Sequence, residues 1–307
     1  MERGLVIKST GSRYTVRKED GSHVNCRLRG RLRTGDIKST SPVAVGDRVM
    51  IEVSVQNEWS ICDILPRSNY LIRKATKLSK QSHIIAANVD VALLVITLRM
   101  PETPPEFIDR FLVSAEAYRI PVCLLFNKSD LYTQDERATL DDMMAVYRKI
   151  GYGSIVTSVV NGAGIDEFRE FLSGKISVIT GLSGTGKSSL INAITPDFPV
   201  RTGEMSEYHR SGKHTTTFAE MLATGNGGYI IDTPGIRAFG LIHIDKQELY
   251  HFFPEIFKTA AGCLFHNCRH MNEPDCAVIE AVHAGAISAS RYRSYLNMME
   301  DSQNKYR

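Results

Sequence analysis

The chain has 307 residues, with 37 Lys plus Arg against 34 Asp plus Glu and a formal net charge of +3. That balance is too mild to point to nucleic acid until the placement of the charge is known. The length suits two or three domains and at least one sizeable core. The first residues, MERGLVIKST, lack the apolar stretch and small-residue cleavage site of a secretory signal. The longest apolar run, Val89 to Leu98, carries Asp90 and is about half the ~20 residues that a membrane-crossing helix needs. A soluble, cytoplasmic protein that does not enter membranes is expected.

Residues 1 to 68 read as short strands, with turns at Glu19-Asp-Gly21 and Val45-Gly-Asp47 and almost no helical periodicity. A small β-barrel is expected there. Within it, Arg27, Arg29, Arg31 and Arg33 stand two apart, so an extended strand would point all four to one face as a basic stripe. OB-type barrels bind nucleic acid along such faces, with phosphate contacts providing the affinity. The alternative is a merely solvated face, with Gly30 breaking the strand by a bulge.

From about residue 84 the texture changes. Buried strands are expected at Val89 to Leu98, Pro121 to Phe126, Ile176 to Thr180 and Tyr229 to Ile231. They alternate with helical stretches at Pro105 to Tyr118 and Asp135 to Lys149. This alternation predicts a mostly parallel α/β sheet over residues 69 to 243. Beyond residue 244 only helical segments are expected, including Ala277 to Met299, around a cluster of Cys and His.

Three motifs in the α/β region carry chemistry. Gly181, Leu182, Ser183, Gly184, Thr185, Gly186, Lys187 and Ser188, followed by Ser189, fit the GxxxxGK[ST] pattern between an expected strand and an apolar helix start. The glycines let backbone N–H groups turn inward around phosphates, Lys187 supplies charge to the β and γ phosphates, and Ser188 can ligate Mg²⁺. Asp232-Thr-Pro-Gly235 follows a strand directly; Asp232 can hold Mg²⁺ through water and the N–H of Gly235 can meet a γ-phosphate. Asn127-Lys-Ser-Asp130 resembles the guanine-reading NKxD motif of GTPases. The carboxylate of Asp130 can accept from guanine N1–H and N2–H₂, a pair that adenine does not offer. Asn127 would support the loop and Lys128 would pack its stem on the purine. Ser158, after Thr157, lies where a last base-contacting loop is expected.

The order departs from that of ordinary GTPases, because NKSD precedes the P-loop. A circularly permuted domain binding GTP and GDP is expected, since the termini of such domains lie at the surface and can be joined without disturbing the site. Between the P-loop and DTPG lies Ser211-Gly-Lys-His214-Thr-Thr-Thr217. Thr216, with Thr215 as the alternative, is expected to complete Mg²⁺ coordination. Ile236 stands where many GTPases have a water-orienting Gln, so slow intrinsic hydrolysis is expected, and His214 is the candidate water-positioning group.

Cys263, Cys268, His270 and Cys276 offer three thiolates and an imidazole within 14 positions, a set suited to structural Zn²⁺. His266 is an alternative ligand. Cys26, Cys62 and Cys123 sit in strand-like apolar surroundings, as small buried hydrophobes do. Arg291-Tyr-Arg-Ser-Tyr295 offers either a basic, aromatic contact surface or packing residues at helical spacing.

This combination of motifs and their order resembles the bacterial ribosome-small-subunit-dependent GTPase A family over essentially the whole chain. The resemblance implies a multidomain α/β architecture: an N-terminal OB-like barrel (1–68), a central circularly permuted P-loop GTPase domain (69–243) and a C-terminal helical zinc-binding domain (244–307). It further implies a monomer that binds the 30S subunit and its 16S rRNA during late assembly, GTP hydrolysis stimulated by that subunit, Mg²⁺ at the phosphates and structural zinc. One departure stands out: the family commonly has Arg before the switch His, where Lys213 stands here, which keeps charge but loses bidentate geometry. A metabolic P-loop kinase and a nucleotide-regulated RNA-binding module are the competing readings.

Overall fold

The computed structural model describes residues 1–10, 12–29, 42–55, 57–73, 83–195, 219–232 and 244–300. Apolar residues at every second position build the first unit. Strands β1 (Glu2–Ser9), β2 (Tyr14–Lys18), β3 (His23–Leu28), β4 (Arg48–Val53) and β5 (Trp59–Ile64) pair in the closed order β1-β2-β3-β5-β4-β1. Only β3 and β5 are parallel. Val6, Tyr14, Val16, Cys26, Val49, Ile51 and Ile61 point inward and are almost fully buried. The expected barrel is present, and the turn at Gly46 is set by a close approach: a Cβ there would lie 2.0 Å from the carbonyl oxygen of Ala87. Buried Asp47 holds this corner, accepting from the Ala44 amide at 2.8 Å and from Arg67 at 2.6 and 2.7 Å.

Strands β6 (Tyr70–Arg73) and β7 (His83–Ala87) form a separate antiparallel pair. The second unit is a sheet of β8 (Val91–Ile96), β9 (Val122–Phe126), β10 (Gly153–Val156), β11 (Ile176–Gly181), β12 (Ala219–Ala223) and β13 (Tyr229–Asp232) in the order β10-β9-β8-β11-β13-β12. All pairings are parallel except that of β12 with β13. Helices α1 (Pro105–Ala117) and α2 (Gln134–Ile150) lie on one side, and α3 (Ile165–Phe171) and α4 (Lys187–Ile194) on the other. This explains the unbroken apolar run of β8. Ala92, Leu94 and Ile96 face the first core, while Val91, Leu93 and Val95 face the second. The capping box of Thr133 with Glu136 starts α2, and left-handed Gly151 ends it.

The sheet runs on into the barrel. Lys8 and Ser9 of β1 pair antiparallel with Glu220 and Ala219 of β12, and the exposed Lys8 ammonium lies 2.9 Å from the Glu220 carboxylate.

The C-terminal unit holds α5 (Pro254–Ala260), α6 (Ala277–His283) and α7 (Ala289–Glu300). The expected single helical stretch from Ala277 to Met299 is two helices. Gly285 takes a left-handed φ of 70° and ends the first, the usual conformation just past a helix C-terminus. The Arg291–Tyr295 tract is packing rather than a contact surface. Arg291 is fully buried, bonding Asp109 of α1 at 2.7 Å and Glu255 of α5 at 2.8 and 3.1 Å. Tyr147 adds a hydrogen bond to Asp109 at 2.9 Å, and the guanidinium lies 4.6 Å from the Phe253 ring centroid. Burial pushes the Asp109 carboxyl up, and the adjacent guanidinium opposes that shift.

Removing one partner of a buried ion pair strands the other in a low-dielectric setting and costs about 3–5 kcal/mol. Arg291→Met is expected to destabilise the full chain by that amount in urea unfolding. Arg291→Lys should recover little of it, because an ammonium cannot span Asp109 and both oxygens of Glu255. Wild-type stability in Arg291→Met would show that the network contributes nothing.

Candidate nucleotide and metal sites

In a parallel sheet, ligands bind outside the carboxyl ends of the strands; two sequence motifs meet there, and Asp232, the first residue of the third, ends a neighbouring strand. β11 delivers the glycine-rich loop, after which α4 begins at Lys187 with left-handed Gly186 as its N-cap. A Cβ on Gly181 would lie 2.5 Å from the Val95 carbonyl oxygen, and one on Gly186 would lie 2.5 Å from the Asn127 amide nitrogen. Only glycine fits either position. Thr185 is fully buried and donates to the Leu182 carbonyl at 2.9 Å. The Lys187 ammonium donates to the carbonyls of Gly181 and Leu182 at 2.9 and 2.7 Å, which folds it over the loop. Ser183 and Gly184 are exposed, and Ser188 and Ser189 follow in the first turn of α4.

β9 ends at Phe126 and hands on to the NKSD segment. Asn127 is 2% exposed; its amide donates to the Thr185 carbonyl at 2.8 Å, and its side-chain oxygen accepts from Thr157 at 3.1 Å. One residue thereby ties the loops after β9, β10 and β11 together. Lys128 is left-handed and donates to the Met100 carbonyl. Asp130 accepts from the Ser158 hydroxyl at 2.5 Å, and the Ser158 amide is held by the Ala163 carbonyl at 2.9 Å. Ser158 therefore orients the carboxylate expected to meet a purine edge.

Asp232 is the last residue of β13, one register step beyond the Val178–Ile231 pairing with β11. Gly235, the switch candidates His214, Thr215 and Thr216, and Ile236 lie outside the described residues. So do Arg31 and Arg33. Of the basic stripe, Arg27 closes β3 beside Leu28, and Arg27 and Arg29 are both exposed. Arg29 forms an ion pair with Glu52 of β4, so part of its charge is already matched within the barrel.

Some residues of this region went unrecognised in the sequence. Tyr132 donates to the Asn127 carbonyl at 2.5 Å and accepts from the Leu98 amide at 3.2 Å, closing the NKSD loop. Its only signal is its place two residues after Asp130.

Cys263, Cys268, His270 and Cys276 converge, with ligand atoms all within 4.8 Å of one another. Cys268 and Cys276 sulfurs are 3.7 Å apart, Cys263 and Cys276 sulfurs 3.9 Å, and His270 Nδ1 lies 3.5 and 3.6 Å from Cys263 and Cys276. A tetrahedron with metal–sulfur bonds of ~2.3 Å has edges of about 3.8 Å, so the donor set fits a four-coordinate cation. Burial pushes the Cys268 thiol up to about 12 and lowers the His270 imidazole. A lowered pKa favours the neutral, ligating imidazole, and a bound cation would oppose the burial that holds the Cys268 and Cys276 thiols protonated. Glu273 shapes the loop by accepting the amides of Arg269, Met271 and Asn272 at 2.9, 2.9 and 3.1 Å, which holds its carboxyl down at about 2. Tyr292 and Tyr295 donate to the carbonyls of His270 and Arg269 at 2.8 and 2.7 Å, fastening the loop to α7. His266, the alternative ligand, is exposed and outside the cluster.

Comparison with known proteins agrees with this geometry. The model of the RsgA GTPase family matches residues 64–242, and that of the RsgA N-terminal domain matches residues 3–61. The chain is 53% identical over 306 residues to the small ribosomal subunit biogenesis GTPase RsgA 2 of Bacteroides thetaiotaomicron, covering 99% of each. It is 50% identical over 310 residues to the RsgA protein of Porphyromonas gingivalis, covering 99% and 98%. Among solved structures it resembles YjeQ from Thermotoga maritima, with a TM-score of 0.81, 37% identity and 97% of each chain covered. It also resembles YloQ, described as a circularly permuted GTPase, with a TM-score of 0.76, 31% identity and 97% and 94% covered.

The metal geometry gives a direct check. The purified chain is expected to carry a tightly bound divalent cation by elemental analysis. Cys276→Ser should reduce it to background and open residues 244–300 to proteolysis, because a unit this small depends on its metal for folding energy. Unchanged metal content in Cys276→Ser would remove this site.

Proposed function

Because the chain belongs to the RsgA family of circularly permuted GTPases, we propose that it is a GTP hydrolase that binds the 30S ribosomal subunit late in its assembly and is stimulated by it. The observation that carries the nucleotide half of this reading is the Asn127 amide on the Thr185 carbonyl, which joins a guanine-reading loop to a phosphate loop. The ribosomal half rests on the small-subunit biogenesis named for its relatives.

In this reading Asp130, oriented by Ser158, accepts from guanine, and the Lys128 stem supports the ring. The backbone of residues 181–188 surrounds the phosphates, and the Lys187 ammonium turns from its own loop's carbonyls to the β and γ oxygens. Ser188, Asp232 and Thr216 hold Mg²⁺, which supplies charge at the phosphates when bound. The Gly235 amide meets the γ-phosphate. His214 positions the attacking water in place of the Gln that Ile236 replaces. Arg27, Arg29, Arg31 and Arg33 meet 16S rRNA phosphates. The Cys₃His site holds one structural Zn²⁺, and the protein acts as a cytoplasmic monomer. Among the described residues, no helix is long and apolar enough to cross a membrane.

GTP hydrolysis with and without purified 30S subunits, with ATP and 50S controls, tests the reading. A large increase confined to GTP and 30S is expected; turnover indifferent to 30S would leave a GTPase with another effector. His214→Ala should abolish most of the stimulation while nucleotide affinity stays within about twofold. Asp130→Asn should weaken GTP by about a hundredfold, the loss expected for a charge-assisted hydrogen bond of up to about 3 kcal/mol. It should also favour xanthine nucleotides, whose extra carbonyl matches an amide donor. Retained guanine preference would sink the assignment of Asp130.

A further inference from the structure

Strand β8 lies between the two strands whose ends carry the nucleotide motifs. Ile96 pairs with Phe126 of β9, and Val95 pairs with Gly181 of β11, all parallel. The loop after β8, residues 97–104, must therefore emerge between the base-reading loop and the phosphate loop, although it contains none of the nucleotide motifs.

Its contacts run to both sides. Toward the base loop, the Met100 carbonyl accepts from the Lys128 ammonium, Arg99 donates to the Leu131 carbonyl at 3.3 Å, and the Leu98 amide donates to the Tyr132 hydroxyl. Toward the phosphate loop, the Pro101 ring lies 3.3 Å from where a Cβ on Gly184 would stand. The loop is itself pinned by two buried hydroxyls. Thr97 donates to the Pro101 carbonyl at 2.5 Å, and Thr103 accepts from the Thr97 amide at 3.1 Å. Met100 holds a left-handed φ of 54° and its side chain is 65% exposed, so what positions it is its main chain rather than burial of the side chain. A non-glycine residue in this region costs of order 1 kcal/mol or more and persists only where its surroundings impose it.

We propose that the 97–104 loop is a third wall of the nucleotide site, a positioning element that fixes the spacing between the guanine end and the phosphate end. It does so by anchoring the Lys128 ammonium on the Met100 carbonyl and by bracing Gly184 with Pro101. The Thr97 hydroxyl is the pin that holds both contacts in place. A ligand that must satisfy both ends at once binds tightly only if their separation is preset. This inference rests on guanine nucleotide occupying the cleft.

The test uses the full-length protein and a fluorescent GDP analogue, with unlabelled GDP and GTP as competitors. Thr97→Val keeps the shape but removes the donor to Pro101; Thr97→Ser restores it; Pro101→Gly removes the brace. Thr97→Val and Pro101→Gly should each raise the Kd for GDP and GTP about tenfold and raise KM for GTP, with kcat within about twofold. Thr97→Ser should return to near wild type. The thermal midpoint without nucleotide should fall by only a few °C in each, leaving every variant fully folded at the temperature of the binding assay, which separates positioning from loss of fold. Unchanged Kd values, a Thr97→Ser protein as weak as Thr97→Val, or affinity lost only in step with the thermal midpoint would each overturn the proposal. Failure of the wild-type protein to bind the GDP analogue would instead overturn the site assignment itself.

Discussion

The hydrogen bond from the Asn127 amide to the Thr185 carbonyl spans 58 residues of sequence and 2.8 Å of space, and the nucleotide cleft depends on it. Both partners are buried, so neither has water as an alternative, and a lost bond would leave a desolvated polar group at a cost of about 1–3 kcal/mol. Gly186 must be glycine because the same amide fills the space a Cβ would need. The bond exists because β9, β8 and β11 are adjacent and parallel, so their C-terminal loops share one edge whatever order the chain visits them in. Circular permutation changes that order and leaves the edge intact.

Two joints attach the outer units to this sheet, and they differ in kind. The barrel joins through the β1–β12 pairing, through its buried Val45–Gly46 turn, whose carbonyls accept from the Ala87 amide and the Asn88 side chain at 2.9 Å, and through an exposed Lys8–Glu220 pair, the sort of surface ion pair that contributes about 0–1 kcal/mol. The metal-cluster unit joins through Arg291, fully buried between Asp109 and Glu255. Such a network adds little net stability over an apolar core of the same shape, yet it penalises any separation that leaves one charge unpaired. The C-terminal unit is therefore held on α1 by a buried charge network, whereas the barrel is held by strand bonds and by the buried hydrogen bonds and apolar packing of its Val45–Gly46 turn.

What was legible in the sequence was the chemistry that is local along the chain. The P-loop, NKSD and the Cys₃His set each lie within a short segment; the first two meet at the carboxyl ends of neighbouring strands, and the four side chains of the third converge. The barrel's strands were legible from their turns and the lack of helical periodicity, and the buried run of β8 from its length and composition. Features set by distant partners were not. Arg291 in an exposed-looking RYRSY tract is buried because Asp109 and Glu255, 182 and 36 residues away, meet it. Its sequence neighbours carry no trace of either. Gly285, whose left-handed φ ends the first of the two C-terminal helices, is the residue in the sequence that marks the break. Of the arginine stripe only Arg27 and Arg29 lie among the described residues; both are exposed, and Glu52 matches part of the Arg29 charge.

The permutation also determines which units the nucleotide-responsive segments connect. Residues 211–217, which carry the switch candidates, lead directly in sequence into β12, the strand that pairs with barrel β1. The segment after Asp232 leads directly into the metal-cluster unit, which begins its described course at residue 244. In the ordinary motif order the chain would return from that point into the parallel sheet. Here the strands that would follow have already been made upstream, as β8, β9 and β10. The segments proposed to meet the γ-phosphate are thus covalently adjacent to both outer units: the barrel through β12 and the C-terminal unit through the chain beyond β13.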